Sequence, residues 1–412
     1  MRQGRQHQSA DVIVVGGGVV GCSIAYRLAA RGRRVLLLER RGLASGASGR
    51  NGGMTGAGSS MHSRSPAGRS LYTLTTANLA MLRGLPDELG ADLELRLPGT
   101  LDVITTPEQH AHLTKAVAEQ QAAGIHVSLL DTQEARALLP ALSPAILGAS
   151  FAHDRGHLWP FALVHAFANA ARRHGAELRT ETAVERLERR GDRVVGVVAA
   201  GEFIEAGEVV LATNAYTRQL LADLPVGAIV PARGQILVTQ ALPPIVNRPF
   251  GTNFDKEYGR QTPDGKVLCG GYRRLDTNEG LGTYEERVTP AVLSGIARCL
   301  TELFPVLRRG RVRVARCWAG IMGFTADGLP LIGPIPGTPG LTLAAGFNGG
   351  GFSLAGIAGQ VVADLLTERA TGYDLAPFDP GRFAHASAVW NNPFTAGEER
   401  HPAGSAVPVE IS

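Results

Sequence analysis

The alternation of apolar and polar residues at the start of the chain predicts a strand, a tight turn, a helix and a second strand. Residues 11–15 are mostly apolar and β-branched, glycines follow, and apolar residues recur at helical spacing over 20–28. Gly32 ends this helix, and the apolar run 35–38 is closed by Glu39. Such a βαβ unit of about thirty residues indicates the opening of a parallel sheet.

The same pattern predicts further elements along the chain. Helices are expected at 70–85, 107–123, 161–174, 290–304 and 353–368, and strands at 100–105, 177–179, 183–189, 194–199, 208–212, 235–239 and 267–271, with another strand from Leu341. This order predicts an α/β protein (α+β in two domains). A Rossmann-type domain would carry the parallel sheet, and a second domain would place an antiparallel sheet over a binding site.

The two expected domains are interleaved along the chain. The Rossmann-type domain is expected to comprise 10–88, 150–222 and 318–375, and the second domain 89–149 and 223–317. The tail 390–412 is rich in proline, glycine and glutamate, so we expect it to be disordered.

Composition and charge exclude several classes of protein. The formal net charge is only +4 and no basic run is interleaved with aromatic residues, which argues against nucleic-acid binding. We expect neither a membrane span nor a secretory signal, because no apolar run is long enough for the first and the N-terminus lacks the pattern of the second. The four cysteines form no CxxC pair. No metal site or disulfide framework is therefore expected, and a cytoplasmic location fits best.

The predicted turn after the first strand contains a nucleotide-binding motif. Gly16, Gly18 and Gly21 have the GxGxxG spacing, and Glu39 lies 18 residues beyond the last of them, at the end of the second strand. The glycines allow a tight turn, close approach of a pyrophosphate and close packing of the helix, while the acid can bind ribose hydroxyls. The motif predicts a dinucleotide cofactor; the alternative is a tight crossover with Glu39 as a surface acid.

The identity of the dinucleotide depends on other parts of the chain. Arg40 and Arg41 follow the acid and are compatible with the 2′-phosphate of NADP. However, glycine-rich segments recur at 46–58 and 346–351, as a long, buried cofactor requires. These segments favour FAD.

Three further motifs carry a resemblance to a known family. GASGRNGG (46–53), VVLATNAY (209–216) and WAGIMGFTADGLPLIG followed by AAGFNGGGF together resemble the glycine/D-amino-acid oxidase superfamily. GASGRNGG is most similar to the γ-glutamylputrescine oxidase-like branch. The resemblance covers about residues 10–370, and its motifs occur in the expected order.

The resemblance implies a set of FAD-binding residues. The segment 47–53 would lie beneath the flavin, Val184 would contact adenine through its backbone, and the run 347–352 would bring backbone amides and a helix N-terminus to the flavin. Many relatives have histidine where this chain has Gly350, so only backbone contact is expected there. The implied cofactor-binding residues are Gly16, Gly18, Val19, Val20, Gly21, Glu39, Arg40, Ala47, Ser48, Gly49, Arg50, Asn51, Gly52, Gly53, Met54, Val184, Thr213, Asn214, Gly346, Asn348, Gly349, Gly350, Gly351 and Phe352.

Some of these positions also have structural interpretations. Arg50 and Asn51 fit a surface turn, Val184 fits a core position, and Thr213 and Asn214 fit the end of a strand. For these five residues, a cofactor-binding role and a purely structural role are both compatible with the sequence.

The resemblance also implies a reaction. The family transfers a hydride from a carbon next to nitrogen to flavin N5, which yields an imine, and O2 reoxidises the flavin to give H2O2. A dehydrogenase that passes electrons to a quinone or protein is the main alternative; a nicotinamide-dependent reductase and a non-catalytic subunit are two others. No acid or base is assigned, and the substrate-face candidates are Met54, Phe254, Tyr258, Tyr272, Arg273 and Trp318.

The stretch after Trp318 bears on the substrate. Amino-acid oxidases of this group commonly have an arginine there that holds the α-carboxylate, whereas this chain has Ile321, Met322 and Gly323. A bulkier amine or N-substituted substrate is therefore favoured over a simple amino acid, unless Arg233 or Arg273 replaces the charge.

Cys317 raises the question of a covalent flavin. It lies close to the position where sarcosine-oxidase-like relatives attach flavin through cysteine, but its neighbours differ from that pattern. Non-covalent FAD and a plain buried thiol are expected.

Overall fold

The computed structural model describes residues 9–56, 65–224, 228–252, 257–309 and 312–384. The substrate-face candidate Phe254 and the tail 390–412 lie outside these residues. Within them, the strands are β1 (Ser9–Val15), β2 (Val35–Leu38), β3 (Met54–Thr55), β4 (Thr100–Ile104), β5 (Val127–Leu130), β6 (Gly148–Ala152), β7 (Gly156–His157), β8 (Glu177–Arg179), β9 (Val184–Arg190), β10 (Arg193–Ala199), β11 (Glu202–Leu211), β12 (Val230–Ala241), β13 (Phe250–Thr252), β14 (Tyr258–Gln261), β15 (Lys266–Gly270), β16 (Val314–Phe324), β17 (Leu331–Pro334) and β18 (Leu341–Ala345).

Most helices of the same residues lie close to predicted ones, and three short helices were not predicted. They are α1 (Val19–Ala29), α2 (Pro66–Leu89), α3 (Pro107–Ala122), α4 (Thr132–Leu138), α5 (Pro160–Arg173), α6 (Thr217–Leu220), α7 (Pro290–Leu303), α8 (Val306–Arg309) and α9 (Gly351–Leu366). None of the helices in the described ranges is long and apolar enough to cross a membrane.

The first sheet confirms the predicted Rossmann-type arrangement. Its order is β17-β18-β11-β1-β2-β8, and the neighbours from β18 to β8 run parallel. β17 pairs antiparallel with β18, and the hairpin of β9 and β10 pairs antiparallel with β11. Alternate residues of β1 enter two separate cores, Val12 and Val14 on the side of α1 and Ile13 and Val15 on the other. Burial on both faces explains why the strand is almost continuously apolar.

The second sheet confirms the predicted antiparallel sheet, with one exception. Its order is β16-β12-β15-β14-β13-β4-β6-β5, and its pairs are antiparallel except β13 with β4. These two strands belong to different passages of the chain through the sheet, so the long connection between them allows a parallel pairing. The sheet includes β6 and β16, which cross the expected domain boundaries at 150 and 318.

The two faces of the second sheet have different neighbours. Leu237, Val267 and Cys269 point into a core shared with α7. Ile236 and Leu268 point to the opposite side, where Leu268 packs near residue Gly52 of the GASGRNGG segment. We call this second face the loop-facing side, and it meets the carboxyl ends of the parallel strands of the first sheet.

Candidate functional site

The GxGxxG loop joins β1 to α1 and requires glycine at two positions. Gly16 has a φ of 112°, and a Cβ there would lie 2.7 Å from the carbonyl oxygen of Ala212 at the end of β11. A Cβ at Gly21 would lie 1.9 Å from the carbonyl oxygen of Gly16. Backbone therefore approaches backbone on both sides of the turn, which only glycine permits.

The N-terminus of α1 lies within this loop. Its N-cap residue, Gly18, provides no side-chain cap. The backbone amide of Val19 donates to Ser48 Oγ at 2.9 Å, and a Cβ at Gly18 would lie 2.9 Å from the same oxygen. The positive helix end suits a pyrophosphate, although Ser48 already caps its first amide. Ser48 thus joins the GASGRNGG segment to the glycine turn.

Glu39 is held in place by the backbone on both sides of it. Its Oε2 accepts the amide hydrogen of Gly17 at 2.7 Å, and its Oε1 accepts that of Arg41 at 2.8 Å. The carboxylate follows β2 directly and lies against the glycine turn. This is the position from which an acid can bind the ribose of a dinucleotide.

Asn51 stabilises the GASGRNGG turn internally. Its Nδ2 donates to the carbonyl of Ser48 at 2.7 Å, and its Oδ1 accepts from the amide of Gly53 at 2.7 Å. The turn is also held from outside, because Arg260 Nε donates to the carbonyl of Gly52 at 2.7 Å. The segment is therefore shaped by its own side chain and by the second sheet.

Arg50 directs its guanidinium toward protein groups. Its Nη1 donates to the carbonyl of Ala319 at 2.8 Å and its Nε to that of Ser45 at 3.1 Å, while its Nη2 lies 2.9 Å from Glu286 Oε2. The indole N–H of Trp318 donates to the carbonyl of Arg50 at 3.0 Å. Arg50 consequently fixes the GASGRNGG segment to β16.

A third glycine-rich segment meets the first two at the end of β11. Asn214 Oδ1 accepts the amide hydrogen of Gly346 at 3.0 Å, and Asn348 Oδ1 accepts that of Thr325 at 2.8 Å. Both asparagines have positive φ, 46° and 51°. α9 then begins with N-cap Gly350 and no side-chain cap. A second helix N-terminus therefore lies beside the residues that follow β11.

The substrate-face candidates occupy different parts of the molecule. Tyr258 is on the loop-facing side, where a Cβ at Gly52 would lie 2.8 Å from its Cε2. Trp318 is on the same side, paired in register with Ile236. Met54 begins β3, next to the GASGRNGG turn.

Tyr272 and Arg273 make different contacts. Tyr272 packs against Gly295 of α7, in the core on the opposite side of the second sheet. Arg273 is buried, donates to the carbonyl of Glu279 through Nε and Nη2, and stacks on the ring of Phe324. Burial lowers the pKa of Arg273 to about 10. Tyr272 is thus separated from Tyr258 and Trp318 by the sheet, whereas Arg273 contacts Phe324, which packs with Met322.

One residue of the stretch 321–323 has a defined position on the loop-facing side. Met322 lies on the loop-facing side, with its Cε 2.8 Å from a Cβ position at Gly234 and its Sδ 3.6 Å from one at Gly349. Arg233 points to the other side, where it forms two hydrogen bonds of 2.8 Å with the buried carboxylate of Asp276. Arg233 is thus committed to an internal ion pair.

Cys317 is separated from the loop-facing side by the alternation of the strand. It pairs in register with Leu237, which belongs to the core against α7, whereas its neighbour Trp318 pairs with Ile236 on the loop-facing side. Residues directly opposite in a sheet point to the same face. The thiol is therefore on the wrong face to meet a cofactor bound at the three glycine-rich segments.

Three residues of the site were missed by the sequence analysis. Arg260 and Glu286 contact the GASGRNGG segment, and His157 pairs in register with Met54. Burial, Arg260 and Arg96 lower the pKa of His157 to about 4, so its ring is neutral at neutral pH. No local motif marks these positions, because each acts through a segment distant in sequence.

Comparison with known proteins identifies related chains. A family model described as FAD-dependent oxidoreductase (DAO) matches residues 11–365. Glycine oxidase of Geobacillus kaustophilus is 30% identical over 374 residues, which cover 89% of this chain and 96% of that protein.

Solved structures agree with the sequence comparison. The crystal structure of glycine oxidase from G. kaustophilus superposes with a TM-score of 0.81 at 28% identity and covers 91% of this chain and 99% of that one. L-Proline dehydrogenase from P. horikoshii superposes with a TM-score of 0.80 at 27% identity, covering 92% and 99% of the two chains.

Proposed function

Because the chain belongs to the DAO family of FAD-dependent oxidoreductases, we propose that it is an oxidase of N-substituted or bulky amines and amino acids. The coarser statement rests on the family itself: the protein is an FAD-dependent oxidoreductase that acts on amino acids or amines. The finer statement concerns the substrate and the electron acceptor.

The observation that carries the proposal is the convergence of three glycine-bearing segments. Gly16 abuts the end of β11, Val19 binds Ser48, and Asn214 binds Gly346. Two helix N-termini with glycine at the N-cap, a carboxylate held beside the glycine turn and glycines without room for a Cβ fit the phosphates, ribose and ring of FAD. Ser48, Glu39 and the backbone amides of α1 and α9 would hold the cofactor.

When bound, FAD supplies a hydride acceptor for the carbon next to the substrate nitrogen. The protein would contribute position and electrostatics. The N-terminus of α9 would stabilise negative charge, while Tyr258, Trp318 and Met322 would form an apolar wall that excludes water. His157 is neutral and would not compete as a cation.

The choice of substrate follows from the charges near this wall. Met322 lies in the stretch where the family commonly has a carboxylate-binding arginine, Arg233 is paired with Asp276 behind the sheet, and Arg50 and Arg260 bind backbone carbonyls. Arg273, the other arginine that could replace the charge, donates to the carbonyl of Glu279 and stacks on Phe324. The carboxylate of a small amino acid would therefore compete with existing contacts for each of these guanidinium groups. Apolar substituents on nitrogen would gain from burial against Trp318 and Met322.

Anaerobic bleaching of the flavin tests this proposal. Purified protein is mixed with matched pairs that differ in N-substitution, such as glycine and N-methylglycine, and with secondary amines that lack a carboxylate. We expect faster bleaching by the N-substituted member of each pair. Rapid oxidation of glycine or small D-amino acids, with none of secondary amines, would overturn the substrate assignment.

A dehydrogenase is the second candidate, because L-proline dehydrogenase is similar over almost the whole chain. An oxidase produces one peroxide per substrate in air, whereas a dehydrogenase reduces an artificial dye quickly and forms peroxide slowly. Measuring both rates with the best substrate distinguishes the two.

The position of Cys317 leads to a prediction about flavin attachment. Since the thiol lies on the face of β16 away from the glycine-rich segments, acid precipitation should leave all the yellow colour in the supernatant. The variant Cys317→Ser should retain flavin to the same extent as the wild type. Colour in the wild-type pellet, absent from the variant pellet, would contradict this prediction.

A further inference from the structure

Glu286 connects the two segments that shape the phosphate end of the candidate cofactor site. Its two oxygens accept hydrogen bonds of 3.0 Å each from the guanidinium of Arg41, and its Oε2 lies 2.9 Å from Arg50 Nη2. Arg41 follows the ribose acid Glu39, and Arg50 follows Ser48 at the N-terminus of α1. One carboxylate therefore joins both segments.

Glu286 belongs to a segment anchored at both ends in the second sheet. We call residues 281–289 the bridging segment. The amide of Gly282 donates to the carbonyl of Pro231 at 2.9 Å, and that of Thr289 donates to Gln235 Oε1 at 2.7 Å. Both anchoring residues are in β12. The two ends of the bridging segment therefore contact this strand, while its middle reaches the first sheet.

Aromatic contacts fix the middle of the bridging segment against the first sheet. Tyr284 stacks on Tyr216, with ring centroids 5.2 Å apart, and donates to the carbonyl of Ala215 at 3.2 Å. The guanidinium of Arg40 lies 3.8 Å from the ring centroid of Tyr216. The segment thus packs beside the residues that follow Glu39 and β11.

We propose that Glu286 is a positioning residue that retains FAD, by holding Arg41 and Arg50 together across the phosphate end of the site. This proposal rests on the proposed function, in that it takes the three glycine-rich segments as the FAD site. The bridging segment closes the gap between the ribose side and the pyrophosphate side, and FAD leaves when the two ion pairs separate.

Removal of the Glu286 carboxylate could strengthen FAD binding only if Arg41 and Arg50 then bound the phosphates. Their other contacts oppose this. Arg50 is held by the carbonyls of Ala319 and Ser45, and Arg41 Nη2 also donates to Ser45 at 3.2 Å. Loss of the carboxylate therefore loosens the segments more than it frees donors for the cofactor.

The test is the rate of FAD release from the holoenzyme. Wild type and E286Q are diluted, and the flavin absorbance that remains with the protein is followed over time at low and high salt. Loss of the two partly exposed ion pairs should make FAD release about tenfold faster in E286Q than in the wild type. Wild-type release should accelerate toward about 1 M NaCl, where the Debye length is ~3 Å, and E286Q should lack this dependence.

The neighbouring acid supplies a matched control. Glu285 is more exposed and lies near Arg287 and Arg233, so E285Q removes the same charge without affecting Arg41 or Arg50. Its release rate should equal that of the wild type. The variant R41Q, which removes one of the two ion pairs, should show an intermediate rate, and the double variant R41Q/E286Q should release FAD at the rate of E286Q.

Three outcomes are decisive. Release from E286Q at the wild-type rate, or with the wild-type salt dependence, would overturn the proposal. Should E286Q fail to fold, R41Q gives the same test, and wild-type release from R41Q would overturn it. A wild type that binds no FAD would instead contradict the proposed function, so the two failures are distinguishable.

Discussion

Gly21→Val should give a folded protein that binds FAD more than about a hundredfold more weakly than the wild type and is colourless after purification. Even a Cβ at residue 21 would lie 1.9 Å from the carbonyl oxygen of Gly16. Because this neighbour is backbone, α1 must move away from β1, and its amides then leave the pyrophosphate position. The measurement is a titration of FAD-depleted protein with FAD.

Gly42→Val is the matched control for this variant. A Cβ at Gly42 would meet no atom within 4 Å, so the same substitution should leave FAD binding close to that of the wild type. Thermal unfolding with and without FAD provides a second readout, since a ligand at a hundred times its Kd stabilises by about 2.7 kcal/mol. Equal FAD-induced stabilisation of Gly21→Val and the wild type would show that this turn does not bind the cofactor.

Met322→Arg should shift the substrate preference toward small α-amino acids. The side chain at this position lies on the loop-facing side, between Gly234 and the segment that contains Gly349. A guanidinium there could form a charge-assisted, bidentate pair with an α-carboxylate, worth about 1.5–3 kcal/mol. Anaerobic flavin reduction by glycine should therefore rise about 10- to 100-fold in kcat/KM.

The same variant should lose activity on secondary amines that lack a carboxylate, because they would face a desolvated charge. Met322→Leu conserves the apolar character and should retain the wild-type preference. If Met322→Arg reduces no faster with glycine than Met322→Leu does, residue 322 does not contact the substrate.

The sequence predicted those parts of the site that depend on short-range patterns. Gly16, Gly18, Gly21 and Glu39 were found because the βαβ unit is local and its turn chemistry is visible in the spacing. The positions of Asn214 and Asn348 were found only through the resemblance. Asn214 acts on Gly346, 132 residues away, and Asn348 acts on Thr325, 23 residues away, so neither contact is visible as a local motif.

The faces of the second sheet were harder to predict. Tyr258 and Tyr272 are both aromatic residues near β15, yet they lie on opposite sides of the sheet. Tyr272 has a φ of 53° just after the strand, and an interruption of the alternation changes which face the next side chain meets. Periodicity alone cannot locate such an interruption.

Buried polar residues hid the true length of β12. The strand runs over Val230–Ala241, whereas only 235–239 was predicted. Arg233 breaks the apolar pattern before the predicted start, but it is paired with Asp276 inside the protein. Gln235, the first predicted residue, is likewise bonded to Asp276 and Thr289. Glu286 escaped prediction for the same physical reason, since its partners Arg41 and Arg50 are far away in the sequence.

The order of strands in the first sheet has a consequence for biosynthesis. β1 lies between β2 and β11, and β11 in turn pairs with β18, which is made much later. A nascent chain of which only the first few strands have been synthesised cannot yet form the complete sheet that supports all three glycine-rich segments. Capture of the vitamin-derived cofactor must therefore wait until the ribosome has released Ala345 and the residues beyond it.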